Sequence, residues 1–206
     1  MRSRPLTVGY SGKYRRDKLI SGFSLAYRRN WSAGAHNNQR VYAASRLEAD
    51  VEWDALRFSA YGNYYLPGDW IARAIVEGQY SDESLIVAEQ FGLGGANSIR
   101  GFEERALSGD TGLRLSAELW TPPAPFLPGL RALIFADLGH RHLNNNAVGE
   151  VEDDSVASLG LGLRYQWQDN VTLSADYGNV VAKGQRVVGG RDVGNVRFHA
   201  SLFVRY

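Results

Sequence analysis

Apolar and polar side chains alternate along most of the chain with a period of two. Between Val196 and Tyr206, the residues Val196, Phe198, Ala200, Leu202, Val204 and Tyr206 are apolar or aromatic, and Arg197, His199, Ser201 and Arg205 stand between them; Phe203 is the exception. Leu159, Leu161, Leu163, Tyr165 and Trp167 alternate in the same way with Ser158, Gly160, Gly162, Arg164 and Gln166. Leu130, Ala132, Ile134, Ala136 and Leu138 alternate with Arg131, Leu133, Phe135, Asp137 and Gly139. In a strand such sets face opposite sides, whereas a helix needs spacings of three and four that these segments lack. The pattern predicts nine strands over residues 5–11, 18–29, 53–65, 69–80, 110–120, 130–142, 156–167, 171–182 and 195–206.

Several of these segments exceed the five or six residues common in globular strands and reach the roughly 9–11 that cross a bilayer. One face carries Arg73, Glu77, Arg114, Glu118, Asp137, Arg164, Asp176 and Arg197 among glycines and serines; the other is almost free of charge. A soluble sandwich turns its apolar face inward, while a membrane barrel turns it to lipid and keeps its charges in the lumen. Tyr27, Tyr64, Tyr80, Trp120, Tyr165, Trp167 and Tyr206 lie near strand ends, as the aromatic girdles of barrels do. Tight connections at Pro67-Gly68 and Gln168-Asp169-Asn170, and a modest one at 121–129, alternate with longer ones at 30–52, 81–109, 143–155 and 183–194, the asymmetry of short periplasmic turns and long external loops. The expected fold is therefore all-β: an antiparallel transmembrane β-barrel portion.

Composition narrows the picture. The mean hydropathy of -0.30 looks soluble, but half-apolar strands produce the same value. A net charge of +1 argues against nucleic acid as a partner, because phosphate binding needs a basic surplus. The absence of cysteine removes disulfides, thiolate metal sites and a cysteine nucleophile. No run of 18 apolar residues is present, and the start at Met1 shows no signal peptide.

The loop 81–109 is long for a connection and too apolar for a disordered surface segment, so it is expected to fold back into the lumen. It holds Gly94-Gly95 and Ser98-Ile99-Arg100-Gly101-Phe102, and leads into Gly109-Asp110-Thr111-Gly112 and Glu118-Leu119. Downstream stands Phe135-Ala136-Asp137-Leu138-Gly139. These motifs resemble the signature of the Omp85 superfamily, and within it the two-partner secretion transporters of the haemolysin activation/secretion type (ShlB/FhaC/HecB). Ile99 to Phe102 resembles the family's VRGF/Y loop tip, with Ile for Val; Phe135, Asp137 and Gly139 match its FxDxG strand motif. Gly78-Gln79-Tyr80, Leu85 and Glu89-Gln90-Phe91 resemble the stretch before the loop. The resemblance covers roughly residues 50–206.

It implies about nine strands of a sixteen-stranded barrel in the bacterial outer membrane, with loop 81–109 latched in the pore. It also implies transport of a large secreted exoprotein from periplasm to cell surface without ATP. Arg100 would pair with Asp137, a bond that strengthens where water is restricted; Gly101 would allow close backbone approach, and Phe102 would pack against the wall. Arg114 and Glu118 are further lumen candidates. The expected partners are the exoprotein, outer-membrane lipid and lipopolysaccharide, and the missing strands and periplasmic POTRA domains of a full-length protein. Residues 1–206 are thus read as the C-terminal part of the barrel domain, inactive alone, since nine strands leave an open edge in lipid.

Other chemistry is weaker. Gly92 to Asn97 lacks the third glycine of a dinucleotide loop. His140 and His142 share a face, but its parity is opposite to that of Asp137, so an interfacial role is expected and no metal or other cofactor. Glu150, Glu152, Asp153 and Asp154 read as a solvated acidic loop, with divalent-cation binding a minor option. Two alternatives differ in function: an assembly factor for other barrels, and an outer-membrane hydrolase with His140, His142 and Asp176 as the nearest candidates.

Overall fold

A computed structural model describes residues 2–145, 149–168, 170–185 and 192–205. Asp169 and Tyr206, read above as a turn residue and a girdle aromatic, lie outside these. Nine strands form one antiparallel sheet: β1 (Leu6–Arg16), β2 (Leu19–Arg29), β3 (Asp54–Tyr65), β4 (Ile71–Tyr80), β7 (Thr111–Trp120), β8 (Leu130–His142), β9 (Asp153–Trp167), β10 (Val171–Ala182) and β11 (Val196–Val204). Within the connection from β4 to β7, the short strands β5 (Phe91–Leu93) and β6 (Leu107–Gly109) pair with each other. A single-turn-scale helix α1 (Gln39–Ala43) lies in the loop from β2 to β3, where the Asn38 side chain accepts from the Val41 amide. Neighbours in the main sheet are neighbours in sequence, except that β4 pairs with β7 across the long loop. Among the described residues β1 and β11 each pair on one side only.

The two faces of the sheet are reversed relative to a soluble domain. Ile134, Leu161 and Leu202 are 55%, 60% and 63% exposed, while Asp137 is fully buried. On β8 the odd positions Leu133, Phe135, Asp137 and Arg141 are buried and the even positions Ile134, Leu138 and His140 are exposed. Water cannot be the medium for so many bare leucines, because each gains about 1.5–3 kcal/mol by entering an apolar phase. What covers the inner face is the loop itself. Leu93, Ile99, Phe102, Ala106 and Leu107 from the loop form an apolar cluster with Val156 of β9 and Val180 of β10. A second cluster joins Tyr42, Ala49, Val51, Trp53 and Ala55 to Leu85 and Ile86, tying the loop after β2 to the start of the long one.

Three expectations need correction. β1 extends to Arg16 rather than ending at residue 11, because all eleven residues pair with β2, whose register carries the charged stretch Lys13 to Arg16 along with it. Trp120 is not an outward girdle residue. Its even position on β7 puts it on the inner face, where its indole Nε1 donates to Glu118 Oε2 at 2.8 Å. Asp153 and Asp154 are not loop residues but open β9, and Asp154 is buried, accepting from the amides of Ser155 and Gln185 at 2.9 and 2.8 Å.

Candidate functional site

The inner wall is built by parity. Ser116 on β7, Asp137 on β8 and Ser158 on β9 stand side by side in the ladder, so three small polar groups share one inward-facing row. Asp137 would be a buried charge without a cation, at a cost of several kcal/mol. The cation comes from the loop. Arg100 donates from Nε to Asp137 Oδ2 and from Nη2 to Asp137 Oδ1, each at 2.8 Å, and its amide donates to Oδ2 at 3.0 Å. Its Nη1 reaches Glu118 Oε1 at 2.8 Å, and Nη2 reaches Ser116 Oγ at 3.1 Å. Ser116 Oγ in turn donates to Asp137 Oδ1 at 2.6 Å. The guanidinium lies over the Phe135 ring, 3.5 Å from its centroid. A planar five-donor fork suits such a set; a lysine supplies neither the fork nor the flat face.

Asp176 on β10 lies 3.6 Å from Arg100 Nη1 and is held by two 2.9 Å bonds from Arg164 Nη2. Burial pushes the Arg100 guanidinium down, but the hydrogen bond and charge of Asp137, with the charges of Glu118 and Asp176, outweigh it and hold the group above its ordinary value. Arg114 is also on the inner wall, donating from Nε to Glu77 Oε2 at 2.8 Å and from Nη1 to the carbonyl of Asn97 in the loop. A cavity of about 430 Å³ beside this network is lined by Arg73, Glu77, Arg114, Arg164, Asp176 and Ser201 among others, so the space next to the loop tip is strongly polar.

Glycines set how closely the tip approaches. Gly101 has φ of +99°, a conformation that side-chain-bearing residues rarely adopt. It lies on Gly178 of β10, where a Cβ would fall 2.6 Å from the Gly101 amide nitrogen. Gly139 of β8 leaves room for Leu93 and Ile99, and Gly160 of β9 for the Phe135 ring. Phe102 packs in the apolar cluster between loop and wall. Ile99, Arg100, Gly101, Phe102, Phe135, Asp137, Gly139, Arg114 and Glu118 are thus brought to one inner surface. His140 and His142 are not: they lie on the outer face, away from Asp176.

Sequence reasoning missed a second centre, at the end of the sheet that carries the long loops. Asp110, fully buried, accepts from Arg46 Nη1 and Nη2 at 2.6 and 2.9 Å, from the amides of Leu85 and Asn144 at 2.9 and 2.8 Å, and from Gln90 Nε2 at 3.2 Å. Arg46 also donates to the carbonyls of Leu85 and Asn144 at 2.7 and 2.9 Å. One carboxylate therefore joins three loops. The Gly109-Asp110-Thr111-Gly112 motif drew attention to the position, but nothing local pointed to Arg46, which stands 64 residues away.

An apolar outer face, a charged interior and a long loop fastened to the inner wall are the arrangement of a wall of a bacterial outer-membrane β-barrel. Within that class the chain belongs to the haemolysin secretion/activation protein family ShlB/FhaC/HecB, whose pattern it matches over residues 2–165. Its fold is similar to that of CdiB from Acinetobacter baumannii, with a TM-score of 0.68 at 19% identity over 98% of this chain and 33% of that one. It is also similar to BamA from Haemophilus ducreyi lacking POTRA domains 1-3, with a TM-score of 0.50 at 17% identity over 98% of this chain and 55% of that one. The chain therefore spans about a third of the length of CdiB. Comparison with curated proteins gives no match.

Proposed function

We propose that this chain is the C-terminal part of the barrel of a two-partner secretion transporter, and that it contributes to moving a large exoprotein from periplasm to cell surface. Loop 81–109 obstructs the pore while Arg100 is bound to Asp137, and it rearranges when the exoprotein engages. Among the described residues β1 and β11 are the ends of the sheet, and the remaining strands would continue the barrel from there, since backbone groups left open in lipid cost several kcal/mol each. The observation that carries the reading is the seat of Arg100: its side chain and amide make five hydrogen bonds to Ser116, Glu118 and Asp137, a density of contact that a merely solvated loop residue does not have. The charged cavity beside the tip offers an extended polypeptide a wet path.

The test is Arg100→Ala in the full-length transporter. Export of the partner is expected to fall to background while the barrel still inserts and retains its heat-modifiable mobility. Export at the unmodified level overturns the latch. The family match favours secretion over assembly of other barrels; an Arg100→Ala strain that exports normally but loses other outer-membrane barrels would reverse that preference.

A further inference from the structure

Two imidazoles and two carboxylates converge on the outer face of β8 and β9, at the end that carries the long loops. His140 and His142 are two residues apart on β8 and so share a face. The register sets Asp153 directly opposite His142, and Ser155 opposite His140. Asp153 Oδ1 lies 3.0 Å from His142 Nδ1 and 3.4 Å from His140 Nε2. Glu152 Oε1, in the loop just before β9, lies 3.9 Å from His142 Nε2. His142, Glu152 and Asp153 each bring a donor atom within 4.8 Å of the others.

The Asp153 separations are those of hydrogen bonds and equally those of ligand atoms around one ion, which would take a single nitrogen of His142. Ligand atoms placed tetrahedrally at zinc's N and O distances stand roughly 3.3 Å apart, and the Asp153 contacts bracket that value. His140 Nδ1 lies 2.9 Å from Ser155 Oγ. With Nδ1 carrying the proton and donating to that oxygen, the Nε2 lone pair is left facing Asp153, which is the hydrogen-bonded arrangement that orients metal-bound histidines. With both rings neutral, the four groups carry two negative charges, which one divalent cation cancels. The mixed nitrogen and oxygen donor set selects among cations. Calcium and magnesium require oxygen ligands, whereas zinc and its transition-metal neighbours accept imidazole.

We propose that His142, Asp153 and Glu152, with His140 completing the set, form a binding site for a divalent transition-metal ion of the zinc class at the outer rim of the barrel. The site joins β8, β9 and the loop between them, whose Asn144 contacts Asp110. It rests on strand register and does not depend on the transport reading. The sequence shows the two histidines and the acidic stretch separately; only the β8–β9 register brings Asp153 to the histidines.

The test is titration of the tag-free full-length protein in detergent micelles with Zn²⁺ alone, at mildly alkaline pH, by calorimetry. Visible absorption of the Co²⁺-substituted protein reports the coordination. The native protein is expected to take one ion per chain with a tetrahedral Co²⁺ spectrum. His142→Ala, at a half-buried position, and Asp153→Asn, at an exposed one, both alter side chains that point away from the strand pairing, and each is expected to weaken binding by about tenfold or more. Absence of Zn²⁺ uptake by the native protein overturns the proposal, as does unchanged affinity in His142→Ala. Displacement of the Zn²⁺ by equimolar Ca²⁺ also overturns it, because that result marks a carboxylate cluster and not an imidazole site.

Discussion

Gly178 of β10 supports the backbone of Gly101: a methyl group added at Gly178 would fall 2.6 Å from the Gly101 amide nitrogen and 2.8 Å from the Arg100 carbonyl carbon. The neighbours are main chain, so they cannot swing aside as a flexible side chain does. Gly178→Ala is expected to lift the loop tip off the wall, with an overpacking cost of about 1–3 kcal/mol. In planar bilayers the full-length variant should show a larger and noisier conductance. Conductance equal to that of the native protein would mean that the tip does not control the pore.

Arg100→Lys keeps the charge but loses the fork on Asp137 and the contact with the Phe135 ring. It is expected to resemble Arg100→Ala in export more than the native protein. Removing one partner from a buried ion pair costs about 3–5 kcal/mol, so Arg100→Ala should also lower the temperature at which the folded band converts to the unfolded one in semi-native gels, and Arg100→Lys, which keeps the charge, should lower it less. Full export by the lysine variant would reduce the requirement to charge alone.

Asp110→Asn is expected to loosen the external loops without harming the sheet. The amide cannot accept both Arg46 bonds while still serving Leu85, Gln90 and Asn144, and a lost bond to a charged group costs about 1.5–3 kcal/mol. Surface proteolysis of intact cells should cut within 30–53 or 81–110 faster in the variant. Identical cleavage patterns would show that the three loops are held elsewhere.

The outward leucines separate a membrane wall from a soluble sheet. Leu161→Arg places a charge on the exposed apolar face and is expected to cost about 2–4 kcal/mol in folding into lipid vesicles. Ser201→Arg, at a position lining the inner cavity, should be nearly neutral in the same urea titration. Equal penalties at the two positions would contradict the orientation of the faces.

Alternation made the sheet legible because it is a local property: each residue announces its side by parity with its neighbours. Parity therefore assigns Asp137, Glu118 and Arg114 to the interior, and it assigns Trp120 there too, against the girdle position that its residue type suggests. β1 runs past residue 11 because pairing with β2 carries Lys13, Arg15 and Arg16 to its end, which the pattern of its own residues does not show. The site was legible only as motifs on separate segments. That Gly139, Gly160 and Gly178, from three different strands, clear one seat for Leu93, Ile99, the Phe135 ring and the loop tip depends on register. The same holds for Asp153, which meets the histidines only because β8 and β9 align as they do.

The long loop is fastened at two depths. Asp110 closes its base where β7 begins, and Ser116, six residues further along that strand, helps seat its tip, a distance of roughly 20 Å at strand rise. If the loop obstructs the pore as proposed, releasing either fastening alone leaves the other in place, so passage through the whole bore requires both to open.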